Sequence, residues 1–383
     1  MAERTLGVLE KGISAMLAER IAAGDFPGAV YLVAERGRVL FSGALGDAVR
    51  EPARHPATTE TVFDLASLTK PLVTGMLTAQ LVERGRVALD EPVSEYLTEF
   101  DREDKRGVTV RHLLAHTSGL PGWRPLYLLC EGDAGRVADV IAAQPLEQPP
   151  GGRVVYSDLG FITLGLLAQR VTNTRLDELA RREIFTPLGL TRTFFNPEQS
   201  LQTGVAACES GGNAYERGMC EGAGGESAGH WRERTIWGEV HDGNAYFLGG
   251  AAGHAGLFSD VRETLRLASQ FLQGTTALLR PETCRLFSTN MTEGLNEARS
   301  FAWQLAATPE STAGPRLPPE SFGHLGFTGT SCWVDPGAER VFILLTNRTH
   351  ARPLPFVNIN GVRRRFHTLA VEALEGHGTG GED

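Results

Sequence analysis

Ala66-Ser67-Leu68-Thr69-Lys70-Pro71 sets a hydroxyl and an amine three residues apart at the head of an apolar-periodic segment. Residues three apart share a helix face. Ser67, Lys70, Thr74 and Thr78 then form a polar stripe, while Leu68, Leu72, Val73, Met76, Leu77 and Leu81 are left to bury. Ser67 is placed as an N-cap, and Pro71 this near the start forfeits at most one backbone bond. The spacing predicts a helix over 65–84 that begins at the serine. A serine becomes a useful nucleophile when a base takes its proton, and a lysine amine can do so once burial or a neighbouring charge lowers its pKa from about 10.4. The plainer reading is a capped helix with a solvated lysine. Against it, of 37 basic residues only Lys11, Lys70 and Lys105 are lysines, so a lysine falls three places after a serine by chance roughly 0.2 times.

A second polar cluster, Tyr156-Ser157-Asp158, follows the break Pro149-Pro150-Gly151-Gly152 and precedes another helical pattern. Beside a lysine, a phenol pKa of about 10 can fall far enough for phenolate to share a general-base role. The plainer reading is an interfacial tyrosine with Asp158 as N-cap. The third cluster, His324-Leu325-Gly326-Phe327-Thr328-Gly329-Thr330, is glycine-rich where a strand is expected to start. Such glycines mark either close approach of a ligand to the backbone or a strand bent by bulges.

Around these clusters the patterns alternate between strand and helix. Ala29–Ala34 and Val39–Ala44 read as strands about the turn Glu35-Arg36-Gly37-Arg38, and Ser331–Val334 and Val341–Thr346 flank Asp335-Pro336-Gly337-Ala338-Glu339. Two hairpins at opposite ends of the chain predict one shared antiparallel sheet. Between them, helical patterns run over Leu65–Arg84, Val110–His116, Asp133–Ala143, Phe161–Thr172 and Leu176–Phe185, and Val362–Leu374 is expected to cover one sheet face. The class is therefore α+β, with a mainly helical region inserted into the sheet. We expect a single domain over residues 1–383, with a sheet part at about 1–60 and 250–383 and a helical part at about 61–249. The stretch 204–230, rich in Gly, Ser, Ala and Glu and without periodicity, is expected to be a mobile loop beside the site.

Composition narrows the function. A net charge of -9, with no basic run longer than Arg363-Arg364-Arg365, argues against nucleic acid and anionic membranes as partners. Five cysteines without C-x-x-C spacing predict reduced thiols and no structural metal. The N-terminal pattern is an amphipathic helix with no signal-peptide core, which predicts a cytoplasmic protein. His112 and His116 stand four apart but lack the glutamate of H-E-x-x-H, and no G-x-S-x-G elbow, P-loop or G-x-G-x-x-G is present. We expect no metal and no cofactor.

In order and spacing the three clusters resemble the serine hydrolases that group class C β-lactamases, penicillin-binding D,D-peptidases, D-aminopeptidases and related esterases. S-x-x-K falls on Ser67 and Lys70, Y-x-N on Tyr156 and Asp158, and K-T-G or H-x-G on His324, Leu325 and Gly326. Similar text runs through 109–121, 187–190 and 253–259, and the likeness covers roughly 10–372. The resemblance implies a β-lactamase/transpeptidase-like fold and an acyl-serine route. In that route Ser67 attacks, Lys70 and Tyr156 move its proton, the Ser67 and Phe327 N–H groups form an oxyanion hole, and Asp158, His324, Gly326 and Phe327 meet the substrate.

Two positions depart from class C β-lactamases: Asp158 replaces asparagine and His324 replaces lysine. An ionised aspartate only accepts hydrogen bonds, and a histidine titrating near 6.5 holds a substrate carboxylate less firmly than lysine and in a pH-dependent way. These changes place a small-ester esterase first, a D-amino-acid peptidase second and weak β-lactamase turnover third, acting on a small-molecule ester or amide. The rival from another class is a non-catalytic binding protein on the same scaffold. The role of His241-Asp242-Gly243-Asn244 and the oligomeric state stay open.

Overall fold

The computed structural model describes residues 2–221 and 231–378. Ten strands form two sheets. The first hairpin joins β1 (Gly28–Glu35) to β2 (Arg38–Val49) through Arg36 and Gly37, both at positive φ (50° and 72°). That is the two-residue turn whose twist matches antiparallel strands. Strands β3 (His55–Pro56) and β4 (Phe63–Asp64) lead into the helical region, which returns through β5 (Phe194–Phe195) and β6 (Leu257–Ser259). The chain closes with β7 (Gln304–Leu305), β8 (Phe322–Leu325), β9 (Ser331–Asp335) and β10 (Arg340–Thr346). In the β9–β10 turn the Asp335 carboxylate accepts from the Gly337 and Ala338 N–H groups, an Asx turn that fixes the register.

The large sheet runs β3-β2-β1-β10-β9-β8-β7, antiparallel throughout, so the two chain ends meet where β1 pairs with β10. The small sheet runs β4-β6-β5. Successive side chains of a strand face opposite ways, and β1 shows it. Ala29, Tyr31 and Val33 join Ile13, Leu17, Phe342, Phe366 and Val371 on the face covered by helices Ala2–Ala22 and Asn360–Gly378. Val30, Leu32 and Ala34 turn to the other face, against Leu68, Leu72, Met76, Phe161 and Leu164 of the helical region. Each Val, Leu, Ile, Met or Phe among them stabilises by about 1.5–3 kcal/mol on burial, and the larger core includes residues of both the helical region and the sheet. Among the described residues no helix is long and apolar enough to cross a membrane.

The glycine-rich stretch differs in part from its expected irregularity. Ala214–Glu221 is a helix, with Asn213 and Glu216 buried, and buried Glu209 pairs with His241. Composition hid this because polar side chains anchor the segment in place of an apolar stripe. Residues 222–230, the rest of the expected loop, lie outside the described residues.

Candidate active site

The chain enters the site through Asp64, whose carboxylate accepts the Ala66 N–H at 2.8 Å and the His241 N–H at 2.7 Å. Ala66 takes φ 48°, a left-handed conformation costly for a side chain with Cβ. The surrounding backbone holds it there. Thr69 Oγ1 donates to the Ala66 carbonyl at 2.6 Å, and Thr328 and Thr330 donate from the β8–β9 turn to the Asp64 and Leu65 carbonyls. A Cβ on Gly326 would lie 2.5 Å from the Leu65 carbonyl oxygen. The close approach that requires this glycine is therefore to the protein's own nucleophile turn. The H-x-G cluster closes β8 and forms the turn into β9, whereas a strand start was expected.

Ser67 sits inside a short 3₁₀ turn, Ala66–Leu68, rather than at its cap. A π-helical turn, Lys70–Gly75, and the α-helix Met76–Glu83 follow. Because Ser67 Oγ caps no backbone N–H, it is left to Lys70, whose Nζ lies 2.9 Å away. Lys70 is fully buried. Its ammonium also reaches Asp158 Oδ1 at 2.6 Å and the His254 carbonyl at 3.2 Å, and Tyr156 hydrogen-bonds to both Lys70 and Ser67.

The protonation of this set differs from the expectation of a lowered amine pKa. Burial alone pushes the Lys70 ammonium down, but the Asp158 carboxylate and the Tyr156 oxygen outweigh it, and the pKa ends above the ordinary lysine value. Tyr156 likewise stays a phenol: burial and Asp158 raise it further than Lys70 lowers it. At rest the site therefore holds an ammonium–carboxylate pair and a neutral phenol.

Ser157 takes the N-cap position of helix Asp158–Thr172, accepting from Gly160 N–H at 3.1 Å and donating to the Pro121 carbonyl. The cap expected of Asp158 is thus made by its neighbour, which frees Asp158 for Lys70. His116, weighed only as a metal ligand from the sequence, accepts the Ser157 N–H at 3.0 Å and packs its ring 4.6 Å from that of Tyr156. His112 instead completes a capping box with Thr109. Among the described residues neither histidine falls in a group of potential metal ligands.

Asp158, Asp242 and His254 bring ligand atoms within 4.8 Å of one another, a spacing that would suit a metal ion. The Lys70 ammonium stands on that ground and supplies its positive charge. The segment left open by the sequence is structural around this point. His241 pairs with Glu209 at 2.8 Å, Asp242 caps Gly243–Phe247 and meets His254 Nε2 at 2.9 Å, and Asn244 bridges to Leu126 and Arg124.

His324 lies near the end of β8, its ring 5.8 Å from that of Tyr156, and pairs through Nδ1 with the Leu325 carbonyl at 2.9 Å. That contact puts the proton on Nδ1. Burial first, then Lys70 and Arg299, push its pKa well below the ordinary value, so it is neutral across the neutral range. It cannot carry the pH-dependent hold on a carboxylate expected of it. The cations on that side are arginines: Arg299, Arg348 and Arg363 line a cavity of about 300 Å³ with Ser67, Tyr156, Gly326 and Phe327. Arg363 is spent on the Gly326 and Thr330 carbonyls, and burial lowers it to about 9. No motif announces these arginines, since they reach Ser67 from three separate segments.

A second cavity, of about 230 Å³, opens on the other side of Ser67, Tyr156 and Phe327, and its charged residues are Asp158, Glu216, His241 and Asp242. The site is therefore polarised, with arginines on one side of the serine and carboxylates on the other.

The chain is similar to known proteins along most of its length. The chain is 30% identical over 357 residues to a putative D-alanyl-D-alanine carboxypeptidase of Escherichia coli (strain K12), covering 85% of this chain and 79% of that protein. It is 32% identical over 378 residues to an N-acetylmuramyl-L-alanine amidase of Bacillus subtilis (strain 168), covering 88% and 80%. In fold it resembles EstCE1, a hydrolase with promiscuous acyltransferase activity, at a TM-score of 0.72 and 23% identity over 97% of this chain and 99% of that one. A family model described as Beta-lactamase matches residues 13–360, and with that match the chain belongs to the β-lactamase family of serine hydrolases, class C and penicillin-binding-protein-like in fold.

Proposed function

We propose that the protein cleaves a carboxylate-bearing amide or ester through an acyl-Ser67 intermediate. The observation that carries this reading is the buried Lys70 ammonium held 2.9 Å from Ser67 Oγ and 2.6 Å from Asp158. Lys70 hands one proton to Asp158 and takes the Ser67 proton as Oγ bonds to the substrate carbonyl carbon. The carbonyl π pair moves to oxygen, where the Ser67 and Phe327 N–H groups stabilise it by roughly 3–4 kcal/mol per donor. Collapse breaks the bond to the leaving group, which takes the serine's proton from Lys70 through Tyr156, and Asp158 then returns its proton to Lys70. Water then repeats the sequence on the acyl ester, releasing the acid and restoring Ser67. Asp158 in place of asparagine supplies the proton store that this cycle uses.

A small neutral ester comes first on the sequence alone. Arg299, although paired with Glu297 at 2.7 Å, and Arg348, which donates to the Phe327 and Val357 carbonyls, leave an excess of positive charge beside Ser67 that favours a carboxylate on the substrate, and the two relatives are a carboxypeptidase and an amidase by name. Incubation with a fluorophosphonate should add one mass increment to the peptide containing Ser67. A panel of D-amino-acid peptides, neutral short-chain esters and a chromogenic cephalosporin should show the highest kcat/KM for carboxylate-bearing amides. No adduct on Ser67 and no turnover of any member would overturn the reading.

Because His324 stays neutral, the ratio of kcat/KM for a carboxylate substrate to that for its neutral analogue should be flat from about pH 5.5 to 8.5. A ratio that climbs as pH falls through the histidine range would return the carboxylate to His324.

A further inference from the structure

Glu216, on helix Ala214–Glu221, stands between two cavities and lines both: the carboxylate-lined one beside Ser67 and one bounded by Tyr127, Trp231 and Arg232. Only 5% of Glu216 is exposed. Its Oε1 accepts the Gly243 N–H at 2.9 Å, whereas Oε2 is buried without a hydrogen-bond partner. Asp158 Oδ1 and Glu209 Oε1 are also buried without a hydrogen bond, but the acids that carry them have counter-charges: Asp158 meets Lys70, Glu209 meets His241 and Asp242 meets His254, while Asp64 accepts two backbone N–H groups. Among the described residues Glu216 makes no ion pair. Arg232, a buried cation that also acts on Glu216, is used on the Val240 and His241 carbonyls. An unpaired buried carboxylate oxygen costs free energy that a cation would recover.

The cavity wall suits such a cation. Trp123, Tyr156, Tyr215 and Phe327 line it, and Tyr215 is fixed by packing its ring 4.9 Å from that of Phe327. Aromatic faces attract an ammonium and tolerate its alkyl stem. A volume of about 230 Å³ takes an aminoalkyl group of a few carbons.

Resting on the hydrolase reading above, we propose that this cavity binds a primary ammonium group of the substrate through Glu216 Oε2 and Asp242, opposite the arginine-lined side. Preferred substrates then carry an amine and a carboxylate at opposite ends of the scissile bond. Burial and the Asp242 charge raise the Glu216 pKa to about 7, against the Gly243 N–H, His241 and Arg232, which lower it. Asp158, Asp242 and His241 are the other charged or titratable groups lining the cavity, and the Lys70 ammonium stands against Asp158. The hold on the ammonium is therefore present above about 7 and weakens as Glu216 gains its proton below it.

Aminoacyl and ω-aminoacyl methyl esters are compared with their N-acetylated counterparts, in the native protein and in Glu216→Gln. The free amine should be preferred about tenfold to a hundredfold in kcat/KM, the scale of one charged hydrogen bond, and the preference should fall at least tenfold in the variant. Titration calorimetry with butylammonium against butanol needs neither turnover nor a folded variant. The ammonium should bind more tightly, and the difference should shrink as pH drops below about 7. Equal turnover of both ester types, together with equal binding of the two probes, overturns the ammonium site while leaving the hydrolase reading intact. Absence of Ser67 labelling with selective butylammonium binding overturns the hydrolase reading and keeps the cation site.

Discussion

Ser67→Ala is expected to lower kcat by about 10³- to 10⁶-fold, the scale on which removal of a nucleophile acts when the remaining residues work as a unit. The fold should hardly notice. The turn carrying the serine is fixed by backbone and threonine contacts at Asp64, Leu65 and Ala66, none of which uses Ser67 Oγ. The losses are the 2.9 Å contact with Lys70 and the contact with the partly exposed Tyr156, and the Lys70 ammonium keeps Asp158 and the His254 carbonyl. Stability should change by less than about 1 kcal/mol, the net scale of one hydrogen bond. Steady-state kinetics and thermal unfolding on the same preparation check both statements. A variant that keeps more than about a hundredth of the native kcat, well above the residue expected of a lost nucleophile, would place the nucleophile elsewhere.

What the sequence makes legible here are features encoded locally. Ser67 and Lys70 are three residues apart on consecutive helical turns, and Tyr156 stands just before helix Asp158–Thr172, so the three motifs taken in order nominate them. The two hairpins carry their turn chemistry in Arg36-Gly37 and in Asp335, which is enough to bring the chain ends into one sheet. Protonation is set by what surrounds each group, and there the sequence misleads. Lys70 is raised because Asp158 arrives 2.6 Å away, and His324 is neutral because burial, Lys70 and Arg299 act together. The exchange of roles between Ser157 and Asp158 is a matter of one residue of helix start, below the resolution of pattern reading. Arg299 and Arg348, like Glu216, reach the cleft from segments far apart in the chain. In 204–221 polar anchoring by Glu209, Asn213 and Glu216 accompanies weak apolar periodicity, so a helix carrying Tyr215 and Glu216 reads as loop.

Lys70→Met and Tyr156→Phe are each expected to lower kcat by about 10²- to 10⁴-fold, the range for loss of a positioned general acid or base. The double variant should be scarcely worse than the poorer single. Both residues bond to Ser67 Oγ and to each other, so the proton passes through them as one unit, and losses within such a unit do not multiply. Their effects on stability should differ. Tyr156→Phe removes a hydroxyl at the edge of the cleft from a ring that is 36% exposed, and should cost about 1 kcal/mol or less. Lys70→Met fills a fully buried site with apolar volume but strips Asp158 of its cation. The Asp158 side chain is 18% exposed, so water takes over part of the solvation and the cost should stay below the roughly 3–5 kcal/mol of a fully buried pair broken on one side. Asp158→Asn added to Lys70→Met should then recover stability without recovering kcat. Single-turnover acylation and thermal unfolding across the four proteins measure both halves. If the Tyr156 and Lys70 losses multiply in the double variant, the two residues act in separate steps, and Tyr156 would then belong with leaving-group protonation alone.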